Sequence, residues 1–228
     1  MSLEITKKYF KYSFDKQSSY AFHALSQNYF VKNVLHKRKD KISSQIFFRL
    51  FRTGIIGDIL YKAGEQEIND PKHDVNHEIL AGLFESYLTL ARSIYDYLLI
   101  FLKDQYNVEQ KSFNKFLKKV KSGEYPEIEE KFRKHLDNKI FSDLRNLRDS
   151  SVHKTANVFI YVKNKKYRVE ANVYNDDGGL KQKLDESLYT LIFGYTTGLL
   201  LLMAYIAEKE TGKNFKEQIT LDKIDLDK

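Results

Sequence analysis

Apolar residues recur at steps of three and four through residues 17–37, QSSYAFHALSQNYFVKNVLHK, with Ser18 or Ser19 placed to cap the first turn. The basic run HKRKDK interrupts that pattern, and residues 43–62 resume it as a second helix whose middle Gly54 and Gly57 weaken. Residues 64–78 are polar and contain Pro71, which makes them the best linker in the chain. A long helix follows over 75–105, apolar almost all round, and a short lysine-rich helix over 109–122 stops at Gly123 and Pro126. Residues 127–149 read as another helix, with acids at its start where the helix dipole favours them.

The period then changes from helical to alternating. NVFIYV and YRVEANVY flank KNKK, which predicts a hairpin near 157–174 closed by NDDGG. Helical spacing returns over 180–209 through Leu184, Leu188, Leu191, Tyr195, Leu199, Leu202 and Ile206. Within it residues 188–207 carry no charge over 20 positions, long enough to span a bilayer. Three tyrosines, three threonines, Gly194 and Gly198 favour a buried bundle helix instead, and no membrane partner is expected. The two glycines suit close backbone approach by a neighbouring helix or a dimer seam.

These elements predict a mainly all-α protein: a helical bundle with one inserted β-hairpin near 157–174. The expected division is a basic helical extension over 1–70, a bundle over 71–212 and a polar tail over 213–228. On the long helix Glu85, Arg92 and Asp96 follow one stripe at steps of seven and four. Charges on an otherwise apolar helix need partners, and Arg92 with Asp96 has the spacing of a helix ion pair.

Composition narrows the function classes. With 42% hydrophobic residues in 228, the chain can fill a core, and only two prolines against 30% charged residues agree with helices. The absence of cysteine removes disulfides, zinc–thiolate sites and thiol nucleophiles. No signal-like apolar run opens the sequence, so a cytoplasmic location is expected. The net charge of +7 is concentrated at one end: residues 1–62 hold twelve Lys and Arg against four Asp and Glu, which leaves −1 for the rest. A basic segment interleaved with Tyr and Phe suits a polyanion such as RNA, with Lys37, Arg38 and Lys39 as its densest run. Arg145 and Lys154 add cations farther along.

Candidate chemistry lies in residues 143–157, DLRNLRDSSVHKTAN. Five residues turn an ideal helix by about 500°, so Arg148 and His153 would stand roughly 140° apart on one. Acting together requires the helix to end between them, and Ser150 and Ser151 favour that ending. RNA carries its own nucleophile in the 2′-hydroxyl. Cleavage then needs an acid–base group near neutral pH, which histidine supplies, and a cation for the phosphate, which arginine supplies, without any metal or other cofactor.

An arginine, a polar residue, then a histidine after a short gap, late in a helical bundle, resembles the HEPN superfamily; here the match is RDSSVH, Arg148 to His153, within a likeness over about residues 75–210. The resemblance implies a metal-independent endoribonuclease acting as a homodimer, with two arginine–histidine pairs facing across a shared cleft. Many relatives are toxins or antiviral effectors, which leaves room for an antitoxin or regulatory protein as partner. Carried over by residue, Arg148 holds the scissile phosphate, His153 is base or acid and Asp149 orients one of them. Ser150 supports the turn, and Glu85 or Asp96 assists from the long helix. The hairpin and the N-terminal extension depart from the minimal fold. Arg145 and Asn146 have the common motif form but lie too far from His153.

Three other readings stay open. Arg148 and His153 can simply finish a helix and satisfy its last carbonyls. His73 and His77, four apart beside Glu78, can share a helix face and take His153 as a third metal ligand. The bundle can also be a dimeric module that binds RNA or protein without catalysis.

Overall fold

The computed structural model describes residues 21, 25–26, 28, 30–38, 40–69, 77–106, 113–125, 146–148, 156–174 and 179–212. In chain order the elements are α1 (a π-helical turn Val31–Leu35 continued by His36–Arg38), α2 (Lys41–Glu65), α3 (His77–Tyr106), α4 (Phe113–Lys121), β1 (Ala156–Lys163), β2 (Lys166–Tyr174), β3 (Leu180–Ser187) and α5 (Leu188–Thr211). Helix accounts for 73% of the described residues, and a three-stranded antiparallel sheet supplies the β content.

Asp40 starts α2 by accepting the Ser43 amide at 2.6 Å, and that backbone hydrogen bond lowers its carboxyl below the usual range. The helix then runs unbroken through Gly54 and Gly57. Both glycines are buried. A β-carbon at Gly57 would lie 2.8 Å from Ala21 Cβ and 3.1 Å from Tyr87 Cε2, so the missing side chain is what permits this close packing. Next to it, buried Asp58 accepts the Ala21 amide at 2.7 Å, tying the first described residue to α2.

The apolar faces of α2, α3 and α5 meet in one core. Ile46, Leu50 and Leu60 from α2 join Phe84, Leu88 and Leu98 from α3 and Leu199, Leu202 and Ile206 from α5. The first helix pattern, placed by the sequence in an extension, thus contributes to the same interior as the long helices. Tyr195 lies at its centre, edge-on to Tyr87 at 5.8 Å and to Tyr95 at 6.1 Å, while the Tyr87 hydroxyl bonds Thr196 Oγ1 at 2.9 Å. Burial pushes the Tyr95 phenol well above its ordinary pKa, neighbouring Tyr195 and Tyr87 add to the rise, and Arg92 opposes it. By length and composition α5 could cross a membrane, but 59% of its apolar window is buried inside this core.

The sheet contains the expected hairpin as β1 and β2 and adds a third strand. Its order is β1-β2-β3, and β3 occupies residues read from sequence as the first turns of the last helix. Leu180 and Leu184 are four apart, which satisfies one helical step and two strand periods equally. In the structure Leu184 pairs with Ala171 and packs on the core, whereas Leu180 is exposed. The helix begins only where Ser187 accepts the Thr190 amide at 3.0 Å. It ends at Gly212, whose φ of 66° suits the left-handed cap.

Lys163 and Lys166 flank a two-residue turn in which Asn164 and Lys165 have φ of 53° and 62°, the geometry that matches strand twist. Asparagine tolerates that region and lysine does not. The turn is held against the end of α2, because the Ile68 amide donates to Lys165 O at 2.9 Å and Lys166 Nζ donates to Glu65 O. Neither bond uses the Lys165 side chain. Lys165→Gly is therefore expected to stabilise the fold by about 0.5–1 kcal/mol, read as a higher urea midpoint at unchanged slope. An unchanged or lower midpoint would show that the turn is not strained.

Candidate active site

Residues 146–148 are helical, with Leu147 only 1% exposed in the common core and Arg148 partly buried beside it. Leu147 therefore fixes the backbone that carries Arg148. Described structure resumes at Ala156, where β1 begins. Asp149, Ser150, His153 and Lys154 lie between these two points and, with Arg145 and Lys39, outside the described residues.

The start of α3 holds the strand that follows the motif. His77 Nδ1 is 3.3 Å from Ile160 O, and its ring meets Tyr167 edge-on at 6.0 Å. In the β1–β2 register, the carbonyls of Val158, Ile160 and Val162 point away from β2, so His77 satisfies a sheet-edge carbonyl and blunts that edge. The ring is engaged by the sheet, while His73 and His153, its proposed co-ligands, lie outside the described residues. Among the described residues, three or more His, Asp and Glu nowhere gather as a metal site.

On α3 the charged stripe separates into distinct environments. Arg92 is 6% exposed and pairs through Nη1 with Asp96 Oδ1 at 2.8 Å, the four-residue ion pair its spacing predicts. The Asp96 side chain remains 53% exposed, so it lets a buried guanidinium reach water-solvated charge. Glu85 is exposed on the same helix. Eleven residues of helix separate Glu85 from Asp96 by about 16 Å, so the two carboxylates cannot serve one reacting phosphate within one chain.

Arg38 is drawn toward acids of its own chain. Its Nε lies 3.2 Å from Asp40 Oδ2, Nη1 lies 3.6 Å from Glu210 Oε1, and the guanidinium stands 4.6 Å from the centre of the Phe101 ring. Lys37 is exposed beside it. Together with Asn33, Val34, Glu210 and Thr211 they line an open groove of about 210 Å³.

The solvent face of the sheet has features the sequence reading did not assign. Tyr161 on β1 donates to Asp185 Oδ1 on β3 at 2.8 Å, and Arg168 on β2 donates to the same oxygen at 2.7 Å and to Asp185 O at 2.9 Å. Those side-chain bonds, Arg168 first, hold the Asp185 carboxyl below the usual carboxylate range. Phe159, two residues from Tyr161 on the same face, is 56% exposed. The available signal was the strand alternation, which places every second residue of a hairpin on its solvent face. No protein-family model, curated protein or solved structure matches this chain.

Proposed function

We propose that this protein is a metal-independent endoribonuclease of the HEPN type, working as a cytoplasmic homodimer and acting as a toxin or antiviral effector. The observation that supports this reading is Arg148: a partly buried cation on helical backbone anchored by Leu147, five residues before a histidine in RDSSVH. Such an arginine is restrained in position and offers a planar fork of donors that matches a phosphate.

In this proposal Arg148 neutralises the phosphate as negative charge gathers on its oxygens. His153 serves as the base or acid, and Asp149 sets its orientation. The 2′-oxygen attacks phosphorus and loses its proton to the base. The O2′–P bond forms, the P–O5′ bond breaks, and the departing 5′-oxygen takes up a proton. The products are a 2′,3′-cyclic phosphate and a 5′-hydroxyl. Lys37, Lys39, Arg145 and Lys154 supply further phosphate contacts, and an antitoxin or regulator would restrain the activity.

The purified protein is expected to cut single-stranded RNA in excess EDTA, leaving 3′ ends that resist extension until the cyclic phosphate is opened and the phosphate removed. Cleavage abolished by EDTA and restored by a divalent ion would point to metal chemistry. Salt-sensitive binding of RNA that is never cut would leave the non-catalytic module as the better reading.

A further inference from the structure

The outer face of the sheet carries the exposed Phe159 ring beside Tyr161. Strands lie about 4.8 Å apart, so β1 and β3 are separated by roughly 10 Å across β2. The Tyr161 hydroxyl nevertheless reaches Asp185 on β3 at 2.8 Å. The Tyr161 phenol and the Asp185 carboxylate reach toward each other over β2, so the tyrosine leans across the sheet. The Arg168 guanidinium is fixed beside it by the same carboxylate. Phe159 stands roughly 7 Å away along β1, comparable to the spacing of nucleotides in an extended strand. Phe159 is more than half exposed.

Charge on this face also selects a partner. Lys163, Lys166, Arg168 and Lys183 oppose Glu170 and Asp185, leaving two more cations than carboxylates. Lys166 folds back to Glu65 O, which leaves three cations, Lys163, Arg168 and Lys183, against the two carboxylates. Each carboxylate is already engaged: Asp185 by Arg168 and Tyr161, and Glu170 by Lys183 at 3.5 Å and Asn172 at 3.4 Å. A phosphate backbone crossing the face therefore meets acids already matched by Arg168 and Lys183, with Lys163 as the surplus cation.

We infer that the outer face of the three-stranded sheet binds single-stranded RNA, with bases stacked on Phe159 and Tyr161 and the backbone held by Lys163 and Lys183. This rests on the reading of the chain as acting on RNA, but it needs no cleavage. Stacking takes any base with a free π-face, so the surface prefers unpaired strands over duplex and shows little sequence preference. It also assigns a role to the sheet: holding substrate just beyond the chain segment that carries His153.

The test uses the full-length chain and a fluorescently labelled oligouridine of about twelve nucleotides, within the range of single-strand sites, with an RNA duplex of equal length as the second arm. Anisotropy in EDTA on the His153→Ala background keeps the probe intact. Phe159→Ala is expected to weaken oligouridine binding about ten-fold or more while duplex binding is unchanged. Lys183→Ala, at an exposed position, is expected to weaken binding and to flatten its salt dependence by about one ion. Thermal melting of each variant checks the fold, and the lysine variant decides should the phenylalanine variant melt early. Unchanged oligouridine affinity in both variants would overturn the inference. So would an altered oligomeric state in Phe159→Ala without RNA binding, the mark of a protein interface. Should the unmodified chain bind the oligomer through Phe159 yet never cut it, the nuclease reading fails and this one stands. Cleavage with binding indifferent to Phe159 gives the converse.

Discussion

Gly64→Ala is expected to destabilise the protein by about 1–3 kcal/mol, although alanine is intrinsically the better helix residue by about 1 kcal/mol. The reason is where the new carbon would fall. A β-carbon at Gly64 lies 2.7 Å from the Tyr189 amide nitrogen, 3.0 Å from its Cα and 3.1 Å from its Cβ. Two of those atoms are backbone at the first turn of α5, which cannot rotate out of the way as a side-chain tip can. The junction is pinned on both sides: Ser187 caps α5, and the Tyr61 and Tyr189 rings pack at 4.7 Å with their hydroxyls 3.2 Å apart. Relief therefore requires α2 and α5 to separate, and core contacts loosen with them. Gly82→Ala provides the contrast, since nothing lies within 4 Å of its added carbon on the exposed side of α3. That variant is expected to gain up to about 1 kcal/mol. Urea unfolding of both measures the difference; equal stabilities would mean that the two helices do not approach this closely.

The glycines also show why some of the fold was readable and some was not. Helical spacing alone located α2, α3 and α4 to within a few residues, because each buries a face against the core and its apolar pattern records that burial. Propensity is a local quantity, and by it Gly54 and Gly57 read as weak points. What requires Gly57 is a tyrosine on another helix and an alanine 36 residues earlier. The same limit explains β3. Its leucines fit two periods at once, and the choice is made by pairing with β2, which no local window contains. Arg92 and Asp96 were readable because both partners lie on one helix turn. His77 was not: the spacing to His73 suggested a metal, but the atom its ring meets is the carbonyl of Ile160, 83 residues away. Of the site itself, sequence supplied the motif and structure supplied the anchor, Leu147 in the core with Arg148 next to it.

That anchor makes the motif testable without disturbing the fold. His153→Ala is expected to slow RNA cleavage by about 10² to 10⁴, the usual contribution of an acid–base group. Arg148→Ala is expected to slow it by about 10² to 10³, the scale of one lost charge-stabilising donor. Arg148→Lys separates charge from geometry: lysine keeps the charge but not the planar fork, so its rate should fall between those of arginine and alanine. Each variant should retain a cooperative melt, with Arg148→Ala somewhat below the unmodified protein because the Arg148 Nε is buried. Leu147→Ala should behave oppositely, losing about 2–5 kcal/mol of stability through the cavity it leaves, so that its activity falls with the folded fraction. Rates from single-turnover cleavage in EDTA, set beside melting temperatures, distinguish the two patterns. If Arg148→Ala and His153→Ala cut RNA within a few-fold of the unmodified rate, those side chains merely finish a helix and the chemistry lies elsewhere. If they lose activity only as they lose stability, Arg148 belongs with Leu147 as part of the packing.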